Sequence, residues 1–213
     1  MHYCKTALVQ TVEPGLRQRQ RLETLRSLHL AASELAEEGG LAAATVDAIA
    51  DRAGVSRRTF FNYFASKEDA ILGLIPPRVP DEVPEPSSEQ AAGTDDLRRA
   101  VHLLAVTARS SRMTEGGYAR RRELVDRFPE FNHRLKRQAQ EIQELVLDQL
   151  TVNDSRLGER VEGRLDRARA LVLMAASIMR FAYESDPRIL EEENLSAFDH
   201  STSVFRSLLK EVR

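Results

Sequence analysis

Between Thr45 and Lys67 the chain reads TVDAIADRAGVSRRTFFNYFASK, and this stretch holds the side chains best suited to chemistry. Behind Ser56 come two guanidiniums (Arg57, Arg58), a hydroxyl (Thr59), an amide (Asn62) and a phenol (Tyr63). Read as a short helix, it sets Phe60 and Phe64 four apart on one face, to pack inward with Val55 and Ile49, while the polar groups face out. From Arg52 to Lys67 the sequence holds four bases and no acid. A surface helix of a soluble enzyme would mix in carboxylates. This one suits an anion of groove dimensions, which is duplex DNA. Against that stands a plainer alternative, a helical dimeric adaptor that uses the same helix-turn-helix shape for protein contacts.

Catalysis finds no foothold. The five histidines (His2, His29, His102, His133, His200) are scattered, with no HExxH-like pair, no glycine-rich phosphate loop and no GxSxG. The single cysteine, Cys4, excludes an internal disulfide framework and a Cys-rich zinc site. The sequence therefore predicts a non-enzyme with no cofactor, no metal site and no catalytic residue. Of 213 residues 42% are hydrophobic, 6% aromatic and 30% charged, which fits an all-α protein better than a sandwich or barrel. The formal net charge is −2, so attraction to nucleic acid must come from a local patch. No apolar run reaches the roughly 20 residues needed to span a bilayer, and the N-terminus lacks a signal-peptide core. A cytoplasmic protein without a membrane partner is expected.

The elements that must position the Thr45–Lys67 residues can be read from caps and stops. Residues 1–16 read as a flexible arm ending near Pro14-Gly15. Arg17–Glu38 places Leu25, Leu28, Ala32, Leu35 and Ala36 on one helical stripe, ended by Gly39-Gly40. Thr45, Ser56 and Ser66 are N-cap residues for three short helices, with Asp69 completing a variant capping box. A turn containing Gly54 joins the first two, so residues 45–64 form a helix-turn-helix within a domain of residues 17–75. Residues 76–94, rich in proline and acid, read as a linker. Four helical stretches follow within residues 95–213: Asp95–Arg109, Thr114–Phe128, then a helix opened by Pro129, then Arg160–Glu184. A last one covers Leu195–Val212. Ala168–Tyr183 is apolar nearly all round and calls for cover on every side.

In order and spacing, AASELAEEG (from Ala31), TVDAIADRAGVS, TFFNYF and SKEDAIL resemble the DNA-binding domain of the tetracycline-repressor (TetR/AcrR) family of transcriptional regulators. The resemblance spans about Arg17 to Ile75. It implies an N-terminal three-helix DNA-binding domain and a C-terminal helical ligand-binding and dimerisation domain. It further implies a homodimer on a pseudo-palindromic double-stranded operator, usually a repressor, released by a small-molecule effector. The family's recognition contacts fall on Arg57, Arg58, Thr59, Phe61, Asn62 and Tyr63, its phosphate clamps on Thr45 and Lys67, with the Ser56 hydroxyl near the backbone. Arg57 or Arg58 would read guanine, and Asn62 a base edge or a phosphate. Asp47 stands where some members carry a basic base-reader, and Phe61 where many carry a phosphate-bonding tyrosine.

For the effector, candidate contacts are His102, Tyr118, Phe128, Phe131, Met174, Met179, Arg180 and Tyr183, each of which could equally be ordinary core. Arg180, inside an apolar stretch, is expected to pair with Glu184, with a dimer seam or an anionic effector as the other options. For the dimer, Ala168, Ala175, Ala176 and Ala182 would allow close helix approach. A seam of Phe198, Thr202, Phe205 and Leu209 would supply the second surface.

Overall fold

The computed structural model describes residues 15–80, 96–113, 117–152, 161–186, 188–190, 195 and 197–211. Their regular structure is helical: α1 (Leu16–Ala43), α2 (Val46–Arg52), α3 (Arg57–Phe61), α4 (Lys67–Leu72), α5 (Asp96–Ser110), α6 (Gly117–Arg127), α7 (Phe131–Val152), α8 (Val161–Ser185) and α9 (Ala197–Glu211). A single antiparallel bridge, Leu74 with Arg112, is the extended pairing among the described residues. No described helix is long and apolar enough to cross a membrane. The chain forms two compact units, residues 1–63 and 64–213.

In the first unit the expected stop at Gly39-Gly40 is a kink. Gly40 adopts φ 73° and ψ −180°, and one more helical turn follows to Ala43. The left-handed φ suits a residue without a Cβ. Leu28, Ala31, Ala32 and Ala36 of α1 are buried, as are Ile49 and Ala50 of α2 and Phe60 of α3. Helix α2 packs on both α1 and α3. Arg52 ties α2 back to α1 through Glu38, at 2.9 and 2.8 Å. That hydrogen bond holds the Glu38 carboxyl below its ordinary range and raises the Arg52 guanidinium.

Helix α2 ends in a Schellman arrangement. Gly54, at φ 69°, donates its N–H to Asp51 O (3.1 Å), and Val55 N–H reaches Ala50 O (2.9 Å). This closes two orphan carbonyls and starts α3 two residues later.

In the second unit α5 is the helix wrapped on all sides: Leu97 and every residue from Ala100 to Ala108 are buried. It packs against α7, α8 and α9, and their apolar side chains make one core. Within one protomer Ala168–Tyr183 is covered on one side only. Helix α8 lies at the rim of that core, so Ala168, Ala175 and Ala182 face inward while Leu165, Leu173 and Phe181 stay exposed, Leu173 to 63%. Pro129 sits in the turn before α7 rather than in its first turn, because Phe131 and Asn132 donate to Phe128 O and Pro129 O. Of the expected linker, residues 76–80 run without helix or strand, and Arg78 O accepts from Ser110 Oγ at 3.2 Å. Residues 81–94 lie outside the described ones.

Helix α4 is fastened into this unit by polar contacts. Ser66 caps it, accepting from Asp69 N–H at 3.1 Å and donating to the Asp69 carboxylate at 2.9 Å. Asp69 is itself buried and ion-paired with Arg134 of α7. Arg121 of α6 donates to Leu72 O and to Met113 O, both at 3.2 Å. Residues 73–75 and 111–113 add Met113 N–H to Gly73 O and Ile75 N–H to Ser111 O.

Buried His102 on α5 stands apart. Neither ring nitrogen has a hydrogen-bond partner among the described residues, and Nε2 lies 3.5 Å from an Asp199 carboxylate that both Arg98 nitrogens already hold. Burial pushes its pKa below the ordinary 6.5, against the pull of Asp199, and the Arg98 charge pushes the same way. The unfolded chain thus binds a proton below about pH 6.5 that the folded chain refuses, so this group costs stability as pH falls.

Two measurements check these points. Gly54→Ala should destabilise by about 1–2 kcal/mol in urea unfolding, since an L side chain must then hold a left-handed φ; unchanged stability would mean the turn relaxes. His102→Leu should lose less melting temperature between pH 7 and pH 5 than the parent, and parallel curves would refute the assignment.

Candidate nucleic-acid interface

Helix α3 has only five helical residues, too few to persist alone. Two local devices hold it. Ser56 Oγ accepts the Thr59 N–H at 3.0 Å and meets Thr59 Oγ1 at 2.8 Å, so both hydroxyls are occupied at the cap. Phe60, fully buried, anchors the helix from behind. Thr45 does for α2 what Ser56 does for α3, accepting from Ala48 N–H at 3.2 Å.

The outward face is then fixed by helical geometry. Arg57, Arg58, Phe61 and Asn62 are exposed, while Thr59 and Tyr63 are half-buried. Phe61 is 49% exposed and edge-on to Phe60, with ring centroids 5.3 Å apart at 89°. The ring is thus left half in water beside the polar groups of α3.

Two arginines adjacent in sequence differ in environment. Arg57 Nη1 donates to both carboxylate oxygens of Asp47, at 2.9 and 2.8 Å, and its Cζ lies 5.6 Å from the Phe61 ring centroid. Arg58 makes no ion pair among the described residues. The sequence stretch free of acids is therefore not free of them in space: Asp47 reaches Arg57 from α2, and Glu38 reaches Arg52 from α1. Reading charge along the chain missed this, because the partners come from flanking segments folded back by the Gly54 turn and the Gly40 kink. Of the expected contact set, Thr45 to Tyr63 lie in the first unit. Lys67, half-buried as the first residue of α4, belongs to the second.

The candidate effector residues fall in several settings. Met174 and Met179 pack on the α5 core, and Phe131 is buried in edge contact with Phe128 (5.9 Å, 73°) at the α6–α7 turn. Arg180 is 82% exposed and paired with Glu184 at 2.9 Å, the salt bridge expected of it, which removes it from any interior pocket. Tyr183 is at the surface, and the Tyr118 side chain lies outside the described ones. The candidate dimer residues also divide. Ala168, Ala175, Ala182, Phe198 and Thr202 are buried within the protomer, and Ala176 is half-buried. Phe205 meets Phe181 edge-on at 5.9 Å, and Leu208 and Leu209 are exposed.

Residues 30–72, from the middle of α1 through α4, match the family described as bacterial regulatory proteins, tetR family. Comparison with curated proteins returned no match to the chain.

Proposed function

We infer, from the tetR-family match at residues 30–72, a DNA-binding helix-turn-helix regulator: a homodimeric repressor that binds a pseudo-palindromic operator and releases it on binding a small molecule. The observation that carries the reading is the face of α3. It offers one guanidinium with no ion pair among the described residues (Arg58), one oriented guanidinium (Arg57), an amide and an exposed ring, over a buried phenylalanine. Arg58, or Arg57 in the neighbouring position, reads guanine in the major groove; Asn62 and Tyr63 take a base edge or phosphate; Lys67 and the amides at the α3 start position the backbone. Since Asp47 compensates Arg57, the argument against a protein-contact adaptor rests chiefly on Arg58.

Two features support the finer points. The apolar strip of Leu165, Leu173, Phe181, Leu208 and Leu209 on α8 and α9 is more than a lone protomer ordinarily leaves in water, and a two-fold copy would cover it. Inside the helical domain, His102 Nδ1 and Nε2, Thr107 Oγ1 and Arg112 Nε are buried with no hydrogen-bond partner among the described residues. Burial, reinforced by the Arg121 charge, pushes Arg112 down to about 10. Polar groups left short in the interior are what an entering ligand satisfies. The operator reading puts the protein in the cytoplasm.

Selection of bound duplexes from a randomised pool tests the reading, with affinities then measured across salt. A two-fold motif with half-site centres about 34–36 Å apart is expected, with binding that falls steeply as salt rises. A chain that enriches no motif is not a regulator of this kind. Arg58→Ala should lower affinity for the selected motif by about 10-fold or more and relax preference at one base pair, while Lys67→Ala should weaken all duplexes alike. Equal losses from both substitutions would overturn the division of roles. Leu173→Glu, at an exposed position, should give a monomer in light scattering; a mutant that stays dimeric would move the interface off α8.

A further inference from the structure

We propose that Asp47 is a specificity-determining positioning residue: its carboxylate holds Arg57 so that one edge only of the guanidinium is presented to DNA. The inference rests on the reading of α3 as the recognition helix. Arg57 gives both Nη1 contacts to Asp47, at 2.9 and 2.8 Å, which leaves the Nε and Nη2 donors as a side-on fork. The Phe61 ring lies beneath the same guanidinium, 5.6 Å from Cζ, and limits its rotation from a second direction. Phe61 is in turn fixed edge-on against the fully buried Phe60. A long, flexible side chain is thus restrained from two sides, by Asp47 of α2 and Phe61 of α3.

Such a pair has little to do with stability. Both partners are well exposed, Arg57 at 59% and Asp47 at 65% of the side chain, and exposed ion pairs contribute little to folding. On a face that meets phosphates, a carboxylate also works against binding, since it cancels one positive charge and repels the backbone. What it supplies is discrimination. An unrestrained arginine can bond the nearest phosphate as readily as a base, and so adds affinity on every sequence. Arg57 with its Nη1 corner occupied and its charge compensated gains less from phosphate. Its remaining fork matches the paired acceptors O6 and N7 of guanine. Asp47 therefore lowers affinity for arbitrary DNA more than affinity for the chosen site. Arg58, one residue on and without such a partner, stays free to seek either.

The test uses the full-length protein and four variants: Asp47→Ala, the near-isosteric Asp47→Asn, Arg57→Ala, and Arg57→Ala combined with Asp47→Ala. Each is put through selection from a randomised duplex pool. Each is then titrated against the duplex selected by the parent and against a scrambled duplex, at several salt concentrations. Both Asp47 variants should bind the scrambled duplex several-fold more tightly, with a salt slope steeper by about 0.9 per protomer. Their motif should lose sharpness at the base pair that Arg57→Ala loses, with the ratio of selected to scrambled affinity falling on the order of 10-fold. In the Arg57→Ala background, removing Asp47 should change that base preference no further, an effect that a merely structural role for Asp47 would not produce. Melting curves establish that each variant is folded, and Asp47→Asn stands in should the alanine variant fail. If the parent enriches a motif and both Asp47 variants keep it with an undiminished ratio, or blur a different base pair, the proposal is wrong while the regulator reading stands. If the parent itself enriches nothing, both fall together.

Discussion

Five residues of helix cannot hold a recognition surface without outside help, and the rest of the first unit is organised around that shortfall. Nucleating a helical turn costs more than its first hydrogen bonds return, so α3 needs its ends closed and its back buried. Ser56 closes the start through the Thr59 N–H, Phe60 supplies the buried back, and the Gly54 turn delivers the chain to Ser56 in register. Because these restraints come from short-range contacts, the outward direction of Arg57, Arg58 and Asn62 follows from helical geometry alone. A protein that must place two or three donors against base edges gains from having them on a short, clamped element rather than a loop.

The parts of this arrangement that were legible in the sequence are those whose cause is local. The caps at Thr45, Ser56 and Ser66 are written in hydroxyl residues ahead of helical stretches, and all three hydroxyls accept the backbone N–H expected of them. The buried phenylalanines of TFFNYF were likewise visible from their spacing. Arg180 with Glu184 is a contact one helical turn apart, again local. The pairing of Arg57 with Asp47 was not legible, for it joins residues ten apart across a left-handed glycine. Its existence depends on the angle at which α3 leaves that turn.

A different ambiguity governed the C-terminal helices. Apolar periodicity says that a face is covered but not whether the cover comes from the same chain or another copy. Ala168, Ala175 and Ala182 looked suited to a partner's helix, yet they lie inside the protomer, where small side chains let α8 approach the α5 core. The face left in water carries larger residues, Leu165, Leu173 and Phe181, interspersed with arginines. The same holds for α9, whose seam is divided: Phe198 and Thr202 turn inward, while Leu208 and Leu209 turn out. A stripe broader than one neighbour can cover, read from sequence, is the sum of an inward stripe and an outward one.

Helix α4 shows where sequence family and packing part company. The matched segment runs through Leu72, yet the polar contacts of α4 run to the helical domain: Asp69 to Arg134 of α7, Leu72 O to Arg121 of α6, and the 73–75 segment to 111–113. The buried charge of Asp69 makes the first of these costly to break, because an unpaired carboxylate would remain in the interior. Arg121, by contrast, holds α4 through two neutral carbonyls at 3.2 Å, bonds that a competing acceptor could replace without stranding a charge. The two ties thus differ in kind, one an ion pair with a buried carboxylate and the other a pair of hydrogen bonds to backbone carbonyls.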